Sequence, residues 1–150
     1  SMDLEACLET MFELADEGKV KFVGVSNFSP KLFKEAVNIG PIANNQVKFS
    51  PYDAAFETLE TIKETGKTLT AYSPLEQGKA SSDGTFGEMS EKYEKTTSQM
   101  VLRWLIQLGN ISVIPKASDE DHRKENLDIF DFEISKEDME KLNKIIKNSQ

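Results

Sequence analysis

Four places in this chain set polar side chains at or just behind a short apolar run. They are Ser26-Asn27 behind Val23-Gly24-Val25, Asn45-Gln46 inside Ile42 to Phe49, Tyr72-Ser73 at the end of Thr68 to Ser73, and Lys116 behind Ile111 to Pro115. Carboxamides and a hydroxyl can recognise another amide, a tyrosine ring can stack on a flat heterocycle, and a lysine ahead of a capped helix can hold a phosphate. Each group taken singly has a plainer use. Ser26-Asn27 can simply end a strand, Gln46 can be a structural amide, Tyr72 a core aromatic and Lys116 a solvated charge. One ligand explains all four together only if the runs are strands whose ends share a rim.

The elements between them are those such an arrangement needs. Asp3 as N-cap and Gly18 as C′ residue predict a first helix with Leu4, Leu8, Met11, Phe12 and Ala15 on one face. Val20 to Val25 is too short and too β-branched for a helix and predicts a strand, followed by a helix from Pro30 to about Asn38 that Gly40-Pro41 ends. Ile42 to Phe49 predicts the next strand, and a helix from Ala55 to Thr65 carries Phe56, Leu59 and Ile62 as its stripe. Thr68 to Tyr72 is a third strand, and Glu76 to Thr85 reads as a polar loop of the kind that forms lids. A short helix over Phe86 to Tyr93 precedes one capped by Thr97 through Met100, Val101, Trp104, Leu105 and Leu108. Ile111 to Ile114 is the last strand, Ser118 caps a helix from Asp119 to about Leu127, and Ser135 with Asp138 resembles a capping box for a helix from Lys136 to about Lys147. Strands alternating with helices imply a mostly parallel sheet with right-handed crossovers, in one domain over residues 1–150. Periodicity alone leaves an open doubly wound sheet and half of an eight-stranded barrel equally possible. On such a rim the four polar strand ends suit a nicotinamide dinucleotide.

Composition narrows the class of protein. With 18 basic and 26 acidic residues among 150, the net charge of −8 argues against a nucleic-acid or anionic-membrane surface. The single cysteine, Cys7, can form no internal disulfide, and with one histidine, His122, no metal cluster is expected. No apolar run approaches a membrane span and the N-terminus has no signal-peptide pattern, so a cytoplasmic protein is expected. Trp104 is assigned to the core. The acidic residues Asp119 to Asp121 and Glu137-Asp138 favour the helix macrodipole.

Six motifs, in order and spacing, resemble the aldo-keto reductases: Gly24-Val25-Ser26-Asn27-Phe28, Asn45-Gln46-Val47, Ala71-Tyr72-Ser73-Pro74-Leu75, Leu102-Arg103-Trp104-Leu105, Ile114-Pro115-Lys116 and Asp131-Phe132-Glu133-Ile134-Ser135. Any one alone would be weak; six across nearly the whole chain are specific. The resemblance implies that Ser26, Asn27 and Gln46 bind the nicotinamide carboxamide and that Tyr72 stacks on its ring. Ser73 and Leu75 would lie along the pyrophosphate, Lys116 near the ribose 2′-phosphate, and Glu125 and Asn126 at the adenine. His122 stands where NADP-preferring members usually place an arginine, and Ala117 where a phosphate-binding serine is frequent. NADP(H) is the cofactor implied, with NAD(H) possible.

The resemblance also implies a fold: a parallel (β/α) half of a TIM barrel, strands five to eight, where a whole barrel takes about 250 residues. The family's catalytic aspartate, tyrosine, lysine and histidine belong to its first half, so no catalytic residue is assigned here. A carbonyl substrate is expected only if that half is supplied. Unpaired strand edges and an uncovered apolar face predict a homo-oligomer or pairing with a complementary half-barrel. The alternative functions are a non-catalytic nucleotide-binding or interaction module, or an inactive fragment.

Overall fold

The computed structural model describes residues 3–76, 79 and 84–148. Among them lie seven α-helices and four strands: α1 (Leu4–Asp16), β1 (Val23–Ser26), α2 (Pro30–Ile39), β2 (Ile42–Lys48), α3 (Phe56–Glu64), β3 (Thr68–Tyr72), α4 (Gly84–Tyr93), α5 (Thr97–Gln107), β4 (Ile111–Ile114), α6 (Glu120–Leu127) and α7 (Lys136–Asn148). Strand order follows chain order, β1-β2-β3-β4. Helical crossovers between strands adjacent in both sequence and space give a parallel α/β fold. The chain divides into two compact units, Ser1–Val47 with Ala55–Thr70, and Lys48–Ala54 with Ala71–Gln150.

In the first unit the Asp3 carboxylate accepts the Glu5 N–H at 3.1 Å, and Gly18, at φ +75°, ends α1 in the left-handed region. Pro30 opens α2 behind Ser29, whose hydroxyl accepts the Leu32 N–H. Leu8, Phe33, Ala36, Ile42, Leu59, Ile62 and Leu69 are buried, with α1 packed on α2 and α2 on α3. Gly40 is extended, so its lack of a side chain serves packing: an added Cβ would lie 2.2 Å from the Phe12 ring. β1 and β2 pair in parallel, with Val25 opposite Asn45 and Ser26 opposite Gln46.

The second unit is built on α5. Six successive residues, Met100 to Leu105, are buried, so this helix is enclosed on most sides. Trp104 meets Phe49 and Phe86 edge-on, at centroid distances of 6.2 and 6.1 Å, and its indole N–H donates to the Asn143 side-chain Oδ1 at 2.8 Å. The buried Gln99 and Arg103 of α5 and its half-buried Gln107 are satisfied by the segment that follows α6. Gln99 donates to the Asp128 carbonyl, Arg103 to that of Ile129, and Gln107 both accepts from and donates to the Ile134 backbone.

Element order and type follow the sequence, while several ends move. β1 begins at Val23 rather than Val20, and α2 and α4 each gain a residue or two. The cap of α5 is Thr96, one residue before the expected Thr97, because Gln99 completes a reciprocal capping box only with Thr96. Asp119 rather than Ser118 caps α6, accepting the His122 N–H at 2.8 Å. Ser135 accepts the Asp138 N–H as expected, but the Asp138 carboxylate does not return to the Ser135 N–H, which donates to the Tyr93 hydroxyl. Instead that carboxylate collects Lys92, Tyr93 and the Ser135 hydroxyl. The expected loop from Glu76 ends before Gly84, where α4 starts; most of the proposed lid lies outside the described residues.

Candidate functional site

The sequence-predicted site residues fall into two groups, one in each unit. In the first unit Ser26, Asn27 and Gln46 come together at the ends of two adjacent strands. The Gln46 carbonyl accepts both the Ser26 hydroxyl at 3.0 Å and the Asn27 N–H at 2.9 Å. Asn27 then turns the chain at φ +57°, a left-handed conformation that asparagine tolerates better than most residues. Ser26 and Asn27 are exposed and Gln46 is half-buried. The group is neutral, polar and accessible, which suits recognition of an amide.

In the second unit β3 ends on half-buried Tyr72, and Ser73 turns the chain at φ +52°. A left-handed conformation at a serine carries a cost that the fold must impose, a feature concentrated at binding sites. From there a cleft of about 470 Å³ opens, lined by Ser73 to Glu76, Ser98, Pro115 to Asp119, His122, Glu125 and Asn126. It thus gathers Ser73, Leu75, Lys116, His122, Glu125 and Asn126, the residues expected to hold the pyrophosphate, the 2′-phosphate and the adenine. Tyr72 directly precedes this lining without belonging to it.

The charges of the cleft are already sorted. Glu76 accepts Lys48 at 2.9 Å and the Ser50 hydroxyl at 3.0 Å, and the Lys48 ammonium holds its carboxyl below the usual carboxylate range. Asp119 accepts the His122 backbone N–H, the main cause holding its carboxyl below the usual carboxylate range, and also pairs with the His122 imidazole at 2.5 Å. Glu125 accepts the Thr96 hydroxyl at 2.5 Å. Among the described residues, Lys116 is the one cation lining the cleft that no acid engages. An exposed ammonium with its donors uncommitted, beside carboxylates that are committed, leaves the cleft able to take an anion such as a phosphate.

Sequence reasoning named Asn45 beside Gln46 but gave a role only to Gln46, and it assigned no part in the site to Glu76, Ser98 or Asp119. For Asn45 the signal was strand parity: it shares a face of β2 with Val47, so it had to be an inward amide while Gln46 faced the other way. Glu76 and Ser98 gave no sequence signal distinct from an ordinary loop acid and an ordinary first-turn serine.

The sequence profile of the aldo/keto reductase family matches residues 1–147. The chain belongs to this family. It is 39% identical over 142 residues to the glyoxal reductase of Bacillus subtilis (strain 168), which covers 92% of this chain and 50% of that protein. The thermostable aldo-keto reductase Tm1743, solved with the inhibitor epalrestat, superposes with a TM-score of 0.91 at 34% identity, over 96% of this chain and 55% of that one. A variant of Gox0644 in complex with NADPH gives a TM-score of 0.85 at 29% identity, over 92% of this chain and 51% of that one. This aldo/keto reductase chain therefore spans about half the length of the curated relatives it matches. Its four strands and seven helices among the described residues are of the kind those structures share.

Proposed function

We propose that this aldo/keto reductase chain is the cofactor-binding half of an oxidoreductase barrel, strands five to eight, and that it binds NADP(H). The first unit's turn takes the nicotinamide carboxamide through Ser26, Asn27 and Gln46. Tyr72 stacks on the ring, and the second unit's cleft takes the phosphates and adenine through Ser73, Leu75, Lys116, Glu125 and Asn126. The observation that carries this reading is the cleft, where six of the residues carried over from the family line one space and no acid among the described residues engages Lys116. A solved relative that holds NADPH supports the same cofactor.

The cofactor's chemistry is hydride transfer to a carbonyl carbon, and these residues contribute binding and orientation to it. Orientation contributes to the rate of such a reaction, and so does a proton donor. No catalytic residue is assigned among these 150 residues, so turnover requires a first half to supply the acid and most of the carbonyl pocket. Each end of the strand order has a single hydrogen-bonded neighbour, and Phe22, just before β1, is 81% exposed. A complementary half-barrel or a second copy would cover such surfaces.

Titration with NADPH and NADH, followed by nicotinamide fluorescence, tests the reading. Binding with NADPH favoured supports it; binding of neither refutes the cofactor assignment, and tighter NADH binding refutes only the 2′-phosphate preference. His122, paired with Asp119 where the family usually has arginine, makes that second outcome the sharper question. Light scattering on the eluting protein tests the pairing: a monomer throughout the micromolar range would refute it.

A further inference from the structure

We infer that Asn45 is a positioning residue, the internal clamp that holds the turn after β1 in its ligand-ready shape; this rests on the reading that Ser26, Asn27 and Gln46 receive the nicotinamide carboxamide. Asn45 is wholly buried at 0% exposure in the middle of β2. Its Nδ2 donates to the Phe28 carbonyl at 2.9 Å, and its Oδ1 accepts the Phe28 N–H at 3.3 Å. One side chain thereby satisfies both backbone groups of one residue on the neighbouring segment. Only one amide orientation does so, since the flipped one would set donor against donor and acceptor against acceptor.

The reason such a clamp is needed lies in the strand ends. The β1–β2 register ends with Ser26 opposite Gln46, after which Asn27 turns away in the left-handed region. Phe28 has therefore left the ladder, and its backbone groups need partners elsewhere. A buried asparagine that pairs with them replaces the missing rung. The same clamp fixes the frame on which Ser26 and Asn27 bond to the Gln46 carbonyl. Leucine at position 45 would fill similar space and leave two polar groups orphaned; aspartate would accept from the N–H and repel the carbonyl. A free turn would have to be ordered at the moment of binding, and that ordering lowers affinity.

The experiment compares two ligands on the intact chain. NADPH carries the nicotinamide, and adenosine 2′,5′-bisphosphate lacks it. Asn45→Ala is expected to weaken NADPH at least about tenfold while leaving adenosine 2′,5′-bisphosphate within twofold. Asn45→Thr, which is uncharged and keeps a hydroxyl able to replace one of the two bonds, should fall between wild type and Asn45→Ala and serves if the alanine variant does not fold. Because Asn45 acts through the turn, adding Ser26→Ala to either variant should weaken NADPH no further. Unchanged NADPH affinity overturns the inference, as does equal weakening of both ligands or strictly additive effects of the two substitutions. Wild-type protein that binds neither ligand refutes the cofactor reading itself. Wild type that binds both equally tightly refutes the nicotinamide assignment of the turn, and the inference with it.

Discussion

The turn after β1 and the cleft beside α6 hold their polar groups by opposite means. In the turn the bonds from Ser26 and Asn27 to the Gln46 carbonyl are neutral, and the tie that fixes it, Asn45 to Phe28, is neutral and buried. In the cleft the groups are charged and mostly exposed: Lys116, Asp119 and His122 stand in solvent, and α6 buries none of its residues. A neutral, buried scaffold fixes direction and is indifferent to salt. An exposed ionic one attracts charge at a distance and is screened. The difference suits an uncharged amide at one place and a phosphate at the other.

The largest test removes what holds the second region up. Trp104 is fully buried among Phe49 and Phe86 on α5, whose N-cap Thr96 also holds Glu125 of the cleft. Trp104→Ala should cost about 3–5 kcal/mol of stability, from the lost burial, the cavity and the loss of the bond to the Asn143 side-chain Oδ1. Urea unfolding followed by circular dichroism should show it as a fall in midpoint. A loss below about 1 kcal/mol would mean that the cleft's framework does not depend on this core.

A smaller effect separates buried charge from the exposed charge of the cleft. Asp138 is 6% exposed, and hydrogen bonds from Lys92 and then Tyr93 lower its pKa from 3.8 to about 2 against the opposing effect of burial. A carboxyl whose folded pKa is depressed contributes stability that is fully present above the unfolded value and is lost as pH falls through the folded one. The contribution is at most about 2 kcal/mol, reduced by solvent at the exposed Lys92 end. Asp138→Asn should therefore be less stable than wild type at pH 6, with the gap closing between about pH 4 and pH 2. A gap constant with pH would show that the carboxylate's charge contributes nothing there.

Third in size is the cleft's uncommitted cation. Lys116→Met should weaken NADPH about tenfold, or about 1.4 kcal/mol, and NADH less than twofold. The slope of NADPH affinity against salt should fall with it. Equal losses for both cofactors would place Lys116 away from the 2′-phosphate.

How far the sequence reached into these two regions depends on what each feature is made of. The order of elements was legible because apolar period and capping chemistry are local: Asp3, Gly18, Pro30 and Gly40-Pro41 mark helix ends by their own backbone preferences. The α5 and α6 caps each slipped by one residue because two adjacent residues, Thr96 and Thr97 or Ser118 and Asp119, can both cap; the bonds that decide are local, the reciprocal box with Gln99 for Thr96 and the His122 N–H for Asp119. The polar strand ends were visible as residues, and resemblance to the family supplied their roles. The clamp at Asn45, the Lys48 to Glu76 pair and the Asp138 cluster join residues 17, 28 and 46 positions apart, to Phe28, Glu76 and Lys92 respectively. No local pattern announces pairs at such separations. Strand parity would have marked Asn45 as inward, which is half of its role.

The smallest effect is also the most discriminating between the two regions. Ser26 donates its hydroxyl to the Gln46 carbonyl, a bond that its exposed position leaves in competition with water. Such a bond contributes about 0.5–1 kcal/mol, so Ser26→Ala should weaken NADPH and NADH alike by about two- to fivefold. Because neither partner is charged, the loss should be the same at 0.05 and at 0.5 M salt, within measurement error, whereas the Lys116→Met loss should shrink as screening grows. A Ser26→Ala loss that shrank with salt in the same proportion would remove the distinction between a neutral turn and an ionic cleft. A loss confined to NADPH would move Ser26 from the amide to the phosphate. Salt-independent loss shared by both cofactors is the outcome that the geometry of the Gln46 carbonyl, accepting a hydroxyl and an amide at once, leads one to expect.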